Sequence, residues 1–218
     1  MSAEDSIQRE LQELKGAALY RTLRTVEGDQ GPVLTIDGRE VLNFSTNNYL
    51  GLANHPKLAA AAQKAIDRYG CGAGASRLIS GNMTLHEELE RRLAEFNGSE
   101  AALVFNSGFQ ANTGILSTLT GEGDAILSDS LNHASIIDGC RLSRAKTFVY
   151  PHCDLDRLAS LLKQAEHCRR KLIVTESIFS MDGDAADLRA IAELKRRRPF
   201  VLVVDSRLYF VVLRHGPG

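Results

Sequence analysis

Short apolar runs alternate with amphipathic stretches through the second half of the chain. The runs have the length and composition of buried strands, and they cover residues 101–105, 125–127, 147–150, 172–175 and 200–204. Between them apolar positions recur at helical spacing, most clearly after Asp154 and over residues 187–198. This alternation predicts an α/β fold with a mostly parallel sheet that carries helices on both faces.

The first part of the chain follows a different pattern. Residues 4–15 predict an amphipathic helix, and residues 33–44 carry two apolar runs around the pair Asp37-Gly38. That pair supplies the positive φ angles of a tight hairpin turn. We therefore predict an N-terminal arm and small-domain hairpin over residues 1–48 and a larger domain over residues 49–218.

A glycine-rich stretch, residues 70–76, lies between two predicted helices, the first of which begins after His55. Thr84 and Glu87 have the spacing of a capping box that opens the second helix, and Gly98 is placed to close it.

Composition narrows the possible partners. The 218 residues are 44% hydrophobic and 24% charged with a net charge of -1, which is typical of a globular protein and argues against nucleic acid as a partner. The basic run Lys195–Arg198 ends a predicted helix, where cations complement the helix dipole. No apolar run approaches the roughly 20 residues that a membrane helix needs, so no membrane partner is predicted.

The cysteines indicate the compartment. None of the four forms a C-x-x-C pair, and the chain starts with a charged segment and no apolar signal stretch, which together predict a cytoplasmic protein. Two adjacent pairs, His152-Cys153 and His167-Cys168, match no common zinc spacing, so no metal site is predicted.

Candidate site residues follow the predicted strands. They are Asn106, Ser107, Gly108 and Phe109, then Ser128, Asp129 and His133, then Glu176, Ser177 and Ser180, and finally Asp205. Because ligands of parallel sheets bind outside the carboxyl ends of the strands, these residues are expected at one ligand edge. The string NSGFQAN, residues 106–112, has a glycine turn leading into a helix, where free N–H groups can hold a phosphate.

Each of these residues also has a plain structural interpretation. The glycine turn could be an ordinary strand-to-helix turn, His133 and Asp205 could cap helices, and Ser180 could stabilise a turn. Neither the dinucleotide-binding glycine fingerprint nor a P-loop is present. The convergence on one edge is what favours a site.

Several strings occur in a defined order over residues 4–205: NFSTNNYLGLANHP, GAGASRLISGN, LVFNSGFQAN, SDSLNHASIIDG, ESIFSMDGD and VLVVD. In this order they resemble the α-oxoamine synthase family of pyridoxal-phosphate enzymes. The resemblance implies the large domain of the type I fold of PLP-dependent transferases, truncated at its C-terminal end, with pyridoxal 5'-phosphate as cofactor. It also implies a homodimer whose sites lie across the interface.

The resemblance implies roles for residues of the larger domain. Gly108 and Phe109 would hold the cofactor at the start of a helix, and Ser180 would hydrogen-bond its phenolic oxygen. His133 would stack on the pyridine ring and help to place the substrate. Asp205 would pair with the ring nitrogen, so His133 and Asp205 are the implied catalytic residues.

Two residues of the N-terminal part are implied in substrate binding. Arg21, in LYRTLR, matches a substrate-binding arginine, and Asn47 lies in the string that lines the amino-acid pocket.

The resemblance also implies a reaction. An amino acid would be condensed with an acyl thioester, carried by coenzyme A or an acyl carrier protein, with loss of carbon dioxide. The strings are most similar to members that join L-alanine to a pimeloyl thioester, giving 8-amino-7-oxononanoate in biotin biosynthesis. A glycine C-acetyltransferase-like member and a noncatalytic truncated remnant are the alternatives.

The chain departs from the family pattern after Asp205. The family continues D-E-A-H, whereas Ser206, Arg207 and Leu208 follow here, and an apolar run, Leu208–Leu213, stands where the family has a polar loop. The lysine that anchors the cofactor belongs to a segment beyond residue 218, and Lys195 is no substitute. The chain alone is therefore expected to be inactive and poorly soluble.

Overall fold

The computed structural model describes residues 2–206. The chain divides into two compact units, one running to Gly72 and the other starting at Ala73. The Leu208–Leu213 run lies outside the described residues.

The first unit holds two helices and a small antiparallel sheet. Helix α1 spans Ala3–Gly16, strands β1, β2 and β3 span Val26–Glu27, Val33–Ile36 and Arg39–Leu42, and helix α2 spans Pro56–Tyr69. The sheet order is β1-β2-β3. Asp37 and Gly38 have φ angles of 51° and 73°, as the predicted hairpin turn requires.

The second unit is built on a four-stranded parallel sheet. A π-helical turn, Arg77–Gly81, and helix α3, Thr84–Asn97, precede it. The elements that follow, in chain order, are helix α4 (Gly108–Leu119), strand β4 (Ala125–Asp129), helix α5 (Ala134–Ser143), strand β5 (Lys146–Tyr150), helix α6 (Leu155–Gln164), a 3-10 turn (Ala165–His167), strand β6 (Lys171–Glu176), helix α7 (Leu188–Arg197) and strand β7 (Val201–Asp205). The sheet order is β5-β4-β6-β7.

Alternating side chains of the strands build two cores. On one face Leu127 and Ile173 pack with α6 and α7 through Leu158, Leu162 and Ile191. The residues that build the core on the opposite face, with α4 and α5, are Leu116, Ile126, Ile136, Cys140, Leu172 and Val174. Because successive strand residues point to opposite faces, helices cover both sides of the sheet, as the alternation predicted.

Gly139 brings helices α4 and α5 close together. A Cβ atom at this position would lie 2.8 Å from Leu116 Cδ1 and 3.0 Å from the carbonyl oxygen of Asn112. Any larger residue would push the helices apart. The missing side chain therefore sets the separation at which α4 and α5 can exchange hydrogen bonds.

Two sequence predictions are wrong in detail. Residues 101–105 form no strand in the described structure, because no strand lies beside them there and the Val104 N–H donates to the Glu90 carboxylate at 2.8 Å instead. Helix α3 takes Met83 as its N-cap, so the predicted capping box at Thr84 and Glu87 is one residue late. The His86 ring accepts the Met83 N–H at 3.0 Å, which replaces the expected carboxylate. Gly98 ends α3 in the left-handed conformation, as predicted.

Glu90, on α3, joins three segments of the second unit. Its two oxygens receive a two-pronged ion pair from Arg77 at 2.5 and 2.8 Å, and one also accepts the Val104 N–H. The Arg77 hydrogen bonds, followed by the Val104 bond, lower the pKa of Glu90 from 4.5 to about 2. The carboxylate therefore ties the turn at Arg77 and residues 101–105 to α3.

We expect the Glu90 carboxylate to stabilise the folded chain near neutral pH and to lose this contribution in acid. Because its pKa is lower in the folded state, its contribution is complete above about pH 4.5 and is lost as the pH falls toward 2. Urea unfolding of the 218-residue chain between pH 6 and pH 2 measures this. Glu90→Gln should be less stable than wild type at pH 6, and the two should converge near pH 2. A gap that stays constant over that range would contradict the assignment, and Glu100→Gln, an exposed change, is the control.

Over residues 2–206, no helix has both the length and the apolar character needed to span a bilayer.

Candidate functional site

The carboxyl ends of the four parallel strands form one edge of the sheet. Asp129 ends β4 opposite Tyr150 of β5, and Glu176 ends β6 opposite Asp205 of β7. The Ser177 N–H donates to the Asp205 carbonyl at 2.9 Å, which continues the pairing one step past β6. Acidic and hydroxyl groups therefore gather at the edge where ligands of α/β sheets bind.

Helix α4 starts at this edge with the glycine turn. Ser107 is its N-cap, and its hydroxyl accepts the Gln110 N–H at 3.2 Å. Gly108 and Phe109 form the first turn, where backbone N–H groups have no intrahelical acceptor and the helix dipole favours an anion. A phosphate is the kind of group that this helix end suits.

A buried asparagine connects three elements of the site. Asn112 lies one helical turn after Gly108, and its Nδ2 donates to Asp205 Oδ2 and to Ser135 Oγ, each at 2.9 Å. The Ser135 hydroxyl lies 2.7 Å from His133 Nδ1. This series, Asp205–Asn112–Ser135–His133, is hereafter the polar chain, and it links β7, α4 and α5.

His133 is both part of the polar chain and the N-cap of α5. Its Nδ1 accepts the Ser135 N–H at 3.2 Å, so the capping interpretation of this residue is correct. Its own N–H donates to Glu176 Oε1 at 2.6 Å. An Nδ1 that accepts hydrogen bonds leaves the ring proton on Nε2, and these contacts fix the imidazole at the sheet edge.

The other predicted site residues lie in different places. Ser180 is exposed on the turn that follows β6, at the same edge of the sheet. Arg21 is exposed in the segment between α1 and β1, and Asn47 is exposed in the segment between β3 and α2. These two belong to the first unit, whereas Gly108, His133, Ser180 and Asp205 belong to the second.

Sequence reasoning missed Asn112, Ser135 and the contact made by Glu176. The sequence signal for Asn112 is its helical spacing from Gly108, but this amide stands out only once the side of α4 that faces the sheet is known. Asp205 ends β7, and its carboxylate accepts from Asn112.

An open cleft of about 510 Å³ lies beside the start of α4. It is lined by Ala75, Ser76 and Gly81 of the glycine-rich region and by Asn106 and Gln110 at the turn, among others. Gly81 packs directly on this region, since a Cβ atom there would lie 1.9 Å from the Ala75 carbonyl oxygen. The glycine-rich segment therefore forms one wall next to the candidate anion site.

The second unit combines a parallel sheet, covered by helices on both faces, with a helix N-terminus, a carboxylate and an imidazole at one edge. The comparisons to known proteins agree with this arrangement. Residues 39–207 match the model of the family described as aminotransferase class I and II. The chain belongs to this family, and its predicted resemblance to the α-oxoamine synthases is confirmed.

Individual relatives are more specific. The chain is 56% identical to the 8-amino-7-oxononanoate synthase of Geobacter sulfurreducens over 98% of its own length and 53% of that protein. It is 54% identical to the enzyme of the same name from Thermoanaerobacter pseudethanolicus, over 93% of the chain and 51% of the relative. A serine palmitoyltransferase variant from S. paucimobilis, solved with a bound PLP–myriocin aldimine, superposes with a TM-score of 0.83 at 31% identity, over 92% of this chain and 52% of that one.

The chain spans about half the length of the curated relatives that it matches.

Proposed function

We propose that this chain is the part of a PLP-dependent C-acyltransferase that supplies most of the residues in contact with the cofactor. The reaction would condense L-alanine with a pimeloyl thioester, on coenzyme A or a carrier protein, with decarboxylation to 8-amino-7-oxononanoate. The observation that carries the proposal is the polar chain, which joins Asp205 and His133 beside the start of α4. The names of the relatives support the choice of product, and the substrates come from the resemblance.

The residues present fit pyridoxal phosphate. The first turn of α4 suits a phosphate. Asn112 lies one helical turn further along α4 and donates to the Asp205 carboxylate, which brings that carboxylate close to the start of the helix. Ser177 Oγ is buried at the same edge and has no hydrogen-bond partner within the described part of the chain. An unpaired buried hydroxyl is costly, which is consistent with a polar ligand or a further segment reaching this edge.

Pyridoxal phosphate, when bound, supplies a protonated ring that withdraws electrons from the α-carbon of the amino acid. Asp205 would hold the proton on the ring nitrogen, because an ionised carboxylate stabilises an adjacent N–H⁺. Asn112 keeps one carboxylate oxygen oriented by donating to it. His133, held through Ser135 and Glu176, would contact the ring and help to position the substrate.

The remaining roles come from the resemblance. Ser180 would donate to the phenolic oxygen, and Arg21 and Asn47 would bind the substrate from the N-terminal part of the chain. The division at residue 48 into an arm with a small-domain hairpin and a larger PLP-binding domain is part of the same proposal. The base that moves the α-proton would be a lysine from a segment outside these 218 residues.

A second copy of the chain is the proposed protein partner. Large apolar side chains are exposed on the second unit near the glycine-rich region and α3, among them Leu78, Ile79, Phe96 and Leu103. Contiguous exposed apolar residues favour association. The cytoplasmic location predicted from the cysteine pattern stays a prediction.

A chimera tests the proposed reaction. Residues 1–205 are joined to the part of the Geobacter sulfurreducens relative that follows its counterpart of Asp205, and the product is hereafter the lengthened chain. With pyridoxal phosphate, L-alanine and pimeloyl-CoA, we expect release of free thiol and formation of 8-amino-7-oxononanoate, measured by mass spectrometry. The 218-residue chain alone should give neither.

Other substrates separate the alternatives. Product from glycine and acetyl-CoA, with none from L-alanine and pimeloyl-CoA, would favour a glycine C-acetyltransferase-like function. A folded lengthened chain that binds no pyridoxal phosphate would favour the noncatalytic remnant and contradict the proposal.

A further inference from the structure

A second cluster of polar residues lies at the sheet edge, outside the polar chain. Asp129, at the end of β4, is buried, and its oxygens accept the Leu131 and Cys153 N–H groups, each at 2.9 Å. His152 follows β5, and Asp184 lies on the loop after β6. The proposed function assigns no role to these residues.

The ring of His152 bridges the two carboxylates. Its Nδ1 lies 3.0 Å from Asp129 Oδ1, and its Nε2 lies 2.7 Å from Asp184 Oδ2. An ionised carboxylate only accepts hydrogen bonds, so each ring nitrogen must carry a proton to make both bonds. Between two ionised carboxylates this geometry requires an imidazolium, with one partner on the sheet and one on the loop.

The surroundings of the ring are consistent with this charge. The Asp129 hydrogen bond is the largest cause of the raised pKa of His152, it is opposed by desolvation, and Asp184 also contributes. Cys153 Sγ lies 3.7 Å from Nε2, and burial raises the pKa of that thiol. The ring meets the Phe179 ring edge-on at a centroid distance of 4.4 Å. Among the described residues, the charged groups that contact the His152 ring are the two carboxylates.

Asp184 closes the loop that carries Ser180. Its carbonyl oxygen accepts the Phe179 N–H at 2.9 Å, and the Gly183 N–H donates to the Phe179 carbonyl at 2.8 Å. Phe179 is buried, while residues 180–184 are exposed. Among the described residues, two side chains attach this turn to the rest of the unit. One is the buried Phe179, and the other is Asp184, whose carboxylate accepts a hydrogen bond from His152.

We propose that His152 is a positioning residue which, as an imidazolium held between Asp129 and Asp184, fixes the turn that carries Ser180. The consequence for catalysis rests on the proposed function, since it requires Ser180 to contact the cofactor. A metal ion is the competing occupant, because donor atoms of Asp129, His152 and Cys153 lie within 4.8 Å of one another. The bridge is favoured because both ring nitrogens and both Asp129 oxygens already have hydrogen-bond partners.

The sign of the pH dependence follows from the bridge. A histidine whose folded-state pKa is raised contributes fully below its ordinary value near 6.5 and loses that contribution as the pH rises through the folded value. The turn should therefore be held at low pH and released at higher pH.

Nuclear magnetic resonance of the 218-residue chain tests the bridge without cofactor. We expect the His152 ring signals to titrate above the value of a free histidine, and the Phe179 and Gly183 amides, whose hydrogen bonds close the turn, to lose about tenfold protection from hydrogen exchange as His152 deprotonates. In Asp184→Asn, which keeps the shape and removes the charge, His152 should titrate lower and the turn should be released at lower pH. Asp182→Asn, a change in the same turn, is the matched control and should change neither quantity.

Three results would overturn the bridge. They are a His152 titration at the free-histidine value, equal protection of the turn in wild type and Asp184→Asn, and tight binding of Zn²⁺ added alone that is lost in Cys153→Ser. Pyridoxal-phosphate affinity of the lengthened chain is measured separately. If Asp184→Asn releases the turn with no change in that affinity, the bridge stands and the role of Ser180 in the proposed function is wrong.

Discussion

Replacing Asp205 with Asn in the lengthened chain should lower the rate of product formation by about 100-fold or more. The substitution keeps the shape of the side chain and an oxygen that can accept the Asn112 amide, which now donates to Asp205 Oδ2 at 2.9 Å. It removes the negative charge that would hold a proton on the ring nitrogen of the cofactor. Without that proton the ring stabilises a carbanion poorly, so the loss should appear mainly in kcat.

The control for this experiment is Asp138→Asn, which removes a half-buried carboxylate of α5 that pairs with Arg141, away from the polar chain. Both variants should fold, which circular dichroism checks. Retention of the wild-type rate within about threefold by Asp205→Asn would show that the ring nitrogen has another partner.

Replacing Gly81 with Ala should destabilise the second unit severely. The new Cβ would stand 1.9 Å from the Ala75 carbonyl oxygen and 2.6 Å from its carbon, and both are backbone atoms that no rotamer change can move. Either the π-helical turn or the segment before it must shift. Overpacking of this kind costs about 1–3 kcal/mol and more where the backbone cannot relax.

Thermal and urea unfolding of the 218-residue chain measure this cost. Gly72→Ala is the matched control from the same glycine-rich region, because a Cβ there meets no atom within 4 Å and the backbone φ is not positive. The control should unfold close to wild type. Equal midpoints for Gly81→Ala and Gly72→Ala would mean that the turn at Arg77–Gly81 is not packed as described.

The sequence predicted the parallel sheet well because its signals are local. Buried strands such as 172–175 are continuous apolar runs, and α6 has both a capping Asp154 and a regular apolar stripe. The strand at 101–105 failed for the opposite reason. A strand needs a partner beside it, and no local pattern reveals whether a partner is present.

The candidate site was predictable only in part. The strand ends and the glycine turn identified Gly108, His133 and Asp205, because topology alone brings such positions to one edge. Asn112 was missed because the sequence does not show which face of α4 meets β7. That face depends on the close approach of α4 and α5 at Gly139. The contacts of His152 were also hidden, because its partners come from the end of β4 and from the loop after β6.

The central claim is that Asp205 and His133 meet around one pyridine ring at the start of α4. Nitrogen-15 resonance of pyridoxal phosphate, labelled at the ring nitrogen and bound to the lengthened chain at pH 8, tests it most directly. We predict a protonated ring nitrogen in the wild type that becomes unprotonated in Asp205→Asn. A ring nitrogen in the same protonation state in both proteins would contradict the claim.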